Sequence, residues 1–195
     1  MAKLLMLVFF FVMPFLAIAQ KPEINYTGLD SQRHSLAYRL FSDKFDTVIA
    51  YTTEGYWQSD NSHYYILAVK GGFYYKGTVN SKRVSTGNWS KPYFKLKKVE
   101  PKKARGLIEY LNKSNLWGLS RDSLNNQKQR NPDGTFSELT LQDATNYRFE
   151  LITPDNYSII DAYSPEYFLE ELPEYIQRAQ FIKIRDRFLS AYKEL

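Results

Sequence analysis

Apolar and polar residues alternate with the two-residue period of β-strands along several stretches of the chain. Gly71 and Gly72 separate two such stretches, and a two-residue hairpin turn needs the positive φ angles that glycine adopts without steric cost. The turn sequence Pro154–Asn156 predicts a second hairpin, because proline fixes φ and asparagine tolerates the left-handed region. Strands are predicted at residues 48–52, 64–70, 73–75, 93–99, 137–141, 147–152 and 157–163.

A helical period of apolar residues occurs twice. The first begins at Pro101, since proline is tolerated at the first helical position, and the second lies at the carboxyl end. Ser164 is expected to cap a shorter helix, and residues 120–131 are expected to form an exposed loop. The two stripes are Ala104, Leu107, Ile108 and Leu111, and then Phe181, Ile184, Phe188 and Tyr192. The pattern predicts an α+β fold, an antiparallel sheet of about five to seven strands packed against a central helix and a C-terminal helix.

The amino terminus has the three parts of a secretory signal peptide. Lys3 supplies a positive charge, Leu4–Leu16 is apolar, and Ala17–Ala19 is a small-x-small cleavage site. The apolar stretch is shorter than the ~20 residues that a membrane-spanning helix needs. We therefore expect a signal peptide at 1–19, a single α+β domain at 20–195, and no stable transmembrane anchor after cleavage.

The chain contains no cysteine and only two histidines. The lack of cysteine excludes a disulfide scaffold, a thiolate metal site and a thiol nucleophile. Exported animal domains usually carry disulfides, so a cysteine-free exported chain indicates a bacterial protein that is secreted or periplasmic. The choice between periplasm and extracellular space stays open.

No catalytic constellation or cofactor motif is visible. The stretch Gly118–Asp122 lacks the second glycine of a nucleophile elbow. His34 and His63 do not have the spacing of a zinc site. The segment Gln129–Thr140 lacks the acidic ends of a calcium-binding loop, and neither a Walker loop nor a GxGxxG motif occurs. We therefore expect no catalytic residue, no metal and no cofactor.

Charge is distributed unevenly along the chain. Residues 70–105 contain eleven basic residues and one acid, whereas residues 133–175 contain ten acids and one basic residue. One interpretation is that the two segments neutralise each other through cross-strand pairs in one sheet. The other is that the basic segment forms a face for an anionic partner.

Aromatic residues make up 16% of the chain and include 16 tyrosines. Adjacent tyrosines in a strand point to opposite faces, so one ring of each pair is expected to lie off the core face. Outward rings beside lysine or arginine stack on sugars or anchor a protein partner. The candidate ligand-binding residues are Tyr56, Trp57, Tyr74, Lys76, Trp89 and Lys91.

These observations favour a non-catalytic exported module that binds an envelope glycan, an anionic surface or a protein partner. Nucleic acid is not an expected partner, because the leader directs the chain out of the cytoplasm. The alternative is a carboxylate-based hydrolase that acts on extracytoplasmic polymers, and a structural envelope component is a third interpretation. A concave pocket with two close acids, one of them buried, would favour the hydrolase. A flat or convex aromatic and basic surface would favour binding.

Overall fold

The computed structural model describes residues 35–55, 61–85 and 88–195, with side chains at all of these except 85, 88 and 89. The strands in these ranges are β1 (Thr47–Gly55), β2 (Asn61–Lys70), β3 (Phe73–Ser85), β4 (Asn88–Trp89), β5 (Tyr93–Lys98), β6 (Lys128–Arg130), β7 (Phe136–Glu138), β8 (Thr145–Ile152) and β9 (Tyr157–Tyr163). The helices are α1 (Leu36–Phe41), α2 (Pro101–Lys113), α3 (Arg121–Leu124), α4 (Pro165–Glu171) and α5 (Gln177–Glu194), and a 3-10 turn covers Leu116–Gly118. The predicted α+β class is confirmed.

One antiparallel sheet contains most of the strands, in the order β5-β3-β2-β1-β8-β9. The short β4 pairs with the far end of β3, and β6 pairs with β7 in a separate two-stranded sheet. Gly71 and Gly72 connect β2 to β3 with φ angles of 54° and 79°, which confirms the predicted turn. The order places β3 and β5 at one edge of the sheet and β8 and β9 at the other, with β1 and β2 between them.

Helices α2 and α5 pack together on one face of the sheet, which we call the first face. The apolar stripes predicted for these helices are buried in full. They contact sheet residues that include Tyr51, Leu67 and Phe149, and the rings of Phe149 and Phe188 meet edge-on at 5.2 Å. Each large apolar side chain that is fully buried contributes about 1.5–3 kcal/mol, so these two stripes hold both helices on the sheet.

The opposite face, the second face, is covered over its apolar half by the short helix α1. Ala37 and Phe41 pack there against sheet residues such as Ala50 and Ile66. Ser35 begins the helix, because its hydroxyl accepts a hydrogen bond from the Tyr38 N–H at 3.0 Å and so satisfies a free donor of the first turn. The sheet therefore has a hydrophobic core on each face.

Because each face of the sheet has a hydrophobic core, both rings of a tyrosine pair can pack against apolar side chains. Tyr64 is 4% exposed on the second face, and its neighbour Tyr65 packs partly buried on the first face. Tyr74 and Tyr75 divide between the two faces in the same way. The expectation that one ring of each pair lies off the core is wrong for these two pairs, since neither face of the sheet is left to solvent here.

The two edge strands of the sheet, β9 and β5, differ in what lies along their outer sides. At the β9 edge, Asn125 accepts from the Tyr163 N–H at 2.9 Å and donates to the Asp161 carbonyl at 3.0 Å. One side-chain amide thus bonds two backbone groups at the end of β9, as a neighbouring strand would. At the β5 edge, no strand of the described ranges pairs with the outer side, and three of the six residues of β5 are lysines. Edge lysines oppose pairing with another sheet, because adding a strand would bury their charge.

Two local predictions differ from the structure. Residues 120–131 contain α3 and β6 in place of a simple exposed loop, and Leu124 of α3 is fully buried. Ser164 precedes α4 as expected, but its φ angle of 39° is left-handed and its side chain does not cap the helix. Its N–H donates to the Thr145 carbonyl at 2.9 Å, so the position serves the connection to β8.

Candidate functional site

The six predicted binding residues do not converge on one surface in the described ranges. Tyr56 and Trp57 lie outside the described residues. Trp89 lies in β4 opposite Arg83, and its side chain is likewise outside the description. Tyr74 is 3% exposed and packs in the core of the first face. The binding role assigned to these residues stays a prediction.

Lys76 has a structural contact that accounts for its position. Its Nζ donates to the backbone carbonyl of Tyr192 at 3.0 Å and lies 5.3 Å from the centre of the Tyr192 ring. The last carbonyls of α5 have no partner within the helix and carry the negative end of its dipole, so an ammonium group there is stabilising. Burial lowers the pKa of Lys76, and the positive charge of Lys97 on β5 lowers it further.

A set of exposed cations and rings lies at the β5 edge. We call Phe73, Tyr93, Lys95, Lys97 and Lys98 the basic edge. Phe73 is 56% exposed and Tyr93 is 67% exposed. The Nζ of Lys98 lies 4.2 Å from the centre of the Phe73 ring. None of the three lysines forms an ion pair with another described residue, so their charge is presented to solvent.

The acidic segment does not neutralise this edge. Strands β8 and β9 are separated from β3 and β5 by the full width of β1 and β2. Within the described ranges, no ion pair joins residues 70–105 to residues 133–175, and Asp161 on β9 pairs instead with Arg121 at 2.6 Å. The interpretation that the two segments form cross-strand pairs is wrong, because the strand order keeps them at opposite edges.

A cleft opens on the second face beside α1, where the sheet is polar. Its cavity volume is about 670 Å³, which lies inside the range of about 300–1,000 Å³ that is usual for ligand pockets. Residues 90–92 form one wall, and this wall is held to β3 because Ser81 donates to the Ser90 carbonyl at 2.9 Å. We call this cavity the polar cleft. Polar side chains in its lining are Arg39, Glu54, Ser62, Tyr64, Ser81, Ser90 and Lys91.

A buried group of charges adjoins the polar cleft. Arg148 on β8 contacts two carboxylates: its Nη2 lies 2.7 Å from Oε2 of Glu54, and its Nη1 lies 3.9 Å from Oε1 of Glu150. Glu150 is 0% exposed, and its Oε2 accepts a hydrogen bond from the Ser35 hydroxyl. Its Oε1 has no hydrogen-bond donor among the described residues.

The surroundings of Glu150 change its acidity. Burial raises the pKa of Glu150 to about 7, although the Ser35 hydroxyl and the Arg148 charge both favour the carboxylate. Glu54 connects this group to the polar cleft, because it pairs with Arg148 and lines the cavity, as Tyr64 also does. Burial raises the pKa of Tyr64 well above its ordinary value, and the charges of Glu150 and Glu54 raise it further. A titratable group therefore lies just behind the wall of the polar cleft.

Sequence reasoning did not single out these residues. The alternation of β8 assigns Arg148 and Glu150 to the side opposite Phe149, a side that a sheet with one core would leave to solvent. The one available signal is that two opposite charges stand two positions apart, on the same face of a strand. That signal does not reveal the distant partners Ser35 and Glu54.

The described ranges contain neither a cluster of metal-ligating side chains nor a membrane-spanning helix. No group of three or more His, Asp or Glu side chains is arranged there as metal ligands. No helix in the same ranges is long and apolar enough to cross a membrane.

None of the protein-family models, curated proteins or solved structures compared with this chain matches it.

Proposed function

We propose that this chain is an exported, secreted or periplasmic bacterial binding module that holds an anionic glycan against the basic edge. The observation that carries the proposal is the separation of charge across the sheet. Lys95, Lys97 and Lys98 lie at the edge farthest from the acids of β8 and β9 and have no carboxylate partner among the described residues. Lys95 and Lys97 point to the first face and Lys98 to the second, so the cations line one edge of the sheet from both sides. Unpaired cations along one edge raise the local concentration of an anionic partner.

The rings of the basic edge favour a glycan over a simple anionic surface. Phe73 and Tyr93 are large and exposed. Phe73 lies against Lys98, and Tyr93 shares a face of β5 with Lys95, two positions away. An aromatic face packs on the apolar side of a sugar ring, while an ammonium group binds a carboxylate or sulfate of the same sugar. The predicted signal peptide at 1–19 supports an extracytoplasmic partner and argues against nucleic acid.

One observation favours the alternative, a carboxylate-based hydrolase: Glu54 and Glu150 approach the same guanidinium beside a cavity. A glycosidase needs both carboxyl groups to reach the scissile bond. Glu150 has no exposed surface, and Arg148 contacts both acids. The binding role is therefore better supported than hydrolysis.

The proposal is tested by measuring binding of polygalacturonate, an acidic polysaccharide, and of dextran, a neutral one. The variant Lys95→Glu/Lys97→Glu reverses two charges of the basic edge. The variant Lys113→Glu/Lys183→Glu makes the same change in net charge at two exposed positions on α2 and α5. We expect the edge variant to bind polygalacturonate at least about tenfold more weakly than the control variant does, a difference of about 1.4 kcal/mol.

Salt provides a second readout. Screening at higher ionic strength should weaken polygalacturonate binding, because exposed charges interact over only about one Debye length. Equal binding of polygalacturonate and dextran, or equal losses in the edge and control variants, would show that the basic edge is not the binding surface.

A further inference from the structure

The polar cleft contains hydrogen-bonding groups that the fold does not use. The hydroxyl of Ser62 has no hydrogen-bond partner among the described residues, although it lines the cavity. The Glu54 side chain is 45% exposed, so part of its carboxylate is open to the cavity while Oε2 is held by Arg148 at 2.7 Å. A carboxylate that is fixed in this way is a preorganised acceptor for hydroxyl groups.

The rim of the polar cleft is cationic. Arg39 on α1 and Lys91 before β5 line the cavity and are exposed. Neither forms an ion pair with another residue in the described ranges. Leu36, Leu40 and Pro92 add an apolar portion to the same lining. The cavity thus combines an acceptor, a free hydroxyl, two cations and an apolar surface.

These groups match the chemistry of an acidic sugar. A hydroxylated ring donates to Glu54 and exchanges hydrogen bonds with Ser62, while its own carboxylate binds the cations at the rim. The apolar face of the ring packs on leucine and proline. A neutral sugar would leave Arg39 and Lys91 unpaired, and a simple anion such as phosphate would leave Glu54 facing negative charge.

We propose that the polar cleft binds a single acidic sugar unit, with Glu54 and Ser62 contacting its hydroxyls and Arg39 and Lys91 contacting its carboxylate. The choice of ligand class rests on the proposed function, because an acidic polymer contains such units. The cleft and the basic edge are nevertheless separate sites: Lys91 lies at the cleft, and Lys95 and Lys97 lie on β5 toward the first face.

The probe is galacturonic acid, titrated into the exported protein and followed by backbone amide NMR shifts and calorimetry. Glucose and inorganic phosphate are the comparison ligands. We expect galacturonic acid to shift amide signals in residues 61–64 and 90–92 and to bind at least about tenfold more tightly than glucose or phosphate.

Two variants connect the signal to the cleft. Ser62→Leu places a larger apolar side chain in the cavity, and its control, Ser190→Leu, makes the same change at an exposed position on α5. Arg39→Glu/Lys91→Glu reverses the charge of the rim. Both cleft variants should lose at least about tenfold in affinity for galacturonic acid, and Ser190→Leu should not.

The two proposals fail separately. Loss of polymer binding in Lys95→Glu/Lys97→Glu with unchanged galacturonic acid binding would support both sites. Galacturonic acid that shifts no signals near the cleft, binds no better than glucose or phosphate, or binds both cleft variants at full strength would overturn the cleft proposal and leave the basic edge untouched.

Discussion

Replacing Glu150 by glutamine should make the protein more stable at neutral pH and should flatten its response to pH. Glutamine keeps the shape of the side chain and can still accept the hydrogen bond from Ser35, but it never becomes charged. Glu150 is 0% exposed, so its charged form loses hydration without gaining a full set of hydrogen bonds. The Glu54 carboxylate remains to pair with Arg148 in the variant.

The size of the effect on the free energy of unfolding follows from the pKa of Glu150. Burial raises the pKa of Glu150 from 4.5 to about 7 in the folded protein. The folded state therefore keeps a proton that the unfolded chain releases between these two values. The contribution of Glu150 to the free energy of unfolding is fully present below pH 4.5. It falls by about 3 kcal/mol in total as the pH rises to about 7.

The assay is urea unfolding of the wild type and of Glu150→Gln at a series of pH values from about 4 to about 8. The free energy of unfolding of the variant, minus that of the wild type, should rise by about 3 kcal/mol across this range. Glu138→Gln removes the same charge from an exposed strand, β7, and controls for the change in net charge. A difference that stays constant with pH, or that falls as the pH rises, would refute the assignment of a proton to buried Glu150.

Two further substitutions test the fold. A Cβ added at Gly77 would lie 2.0 Å from the Lys95 carbonyl oxygen, so Gly77→Ala should force β3 and β5 apart. The β5 amides should then lose their protection from hydrogen exchange. In the control Gly106→Ala on α2, the added Cβ meets nothing within 4 Å, and the protection of β5 should stay intact. Arg178 is fully buried and donates to the carbonyls of Phe168 in α4 and of Leu124 at the end of α3. Arg178→Met leaves these carbonyls without a donor, so it should lower the free energy of unfolding in urea by at least about 3 kcal/mol. A loss below about 1 kcal/mol would contradict the view that Arg178 holds α3 and α4 together.

The parts of the fold that sequence reasoning predicted depend on neighbours in the chain. The Gly71-Gly72 turn and the two apolar stripes are local signals, because backbone freedom and a helical period are fixed by adjacent residues. The final helix shows how far this extends: Phe181 and Phe188 are buried as its period predicts. Helix α3 is too short for a periodic signal, so its buried Leu124 was not predicted.

The candidate sites depend on partners far apart in sequence. Ser35 and Glu150 are 115 positions apart, and Arg148 and Glu54 are 94 positions apart. No local period encodes such pairs. The strand order has the same origin, since hairpin signals show that neighbouring strands pair but do not show that β1 lies between β2 and β8. For this reason the sequence left open whether the basic and acidic segments neutralise each other.

Two cores also limit where a partner can bind. An antiparallel sheet covered by helices on one face commonly leaves the other face to solvent, but here α1 covers the apolar half of that face. At the β9 edge, the Asn125 amide bonds the Asp161 carbonyl and the Tyr163 N–H. Among the described residues of the large sheet, exposed cations and open hydrogen-bonding groups remain at the β5 edge and on the polar half of the second face. Residues 90–98 border both, since they form a wall of the cleft and then become β5. A ligand that bound at one surface would therefore contact the segment that shapes the other.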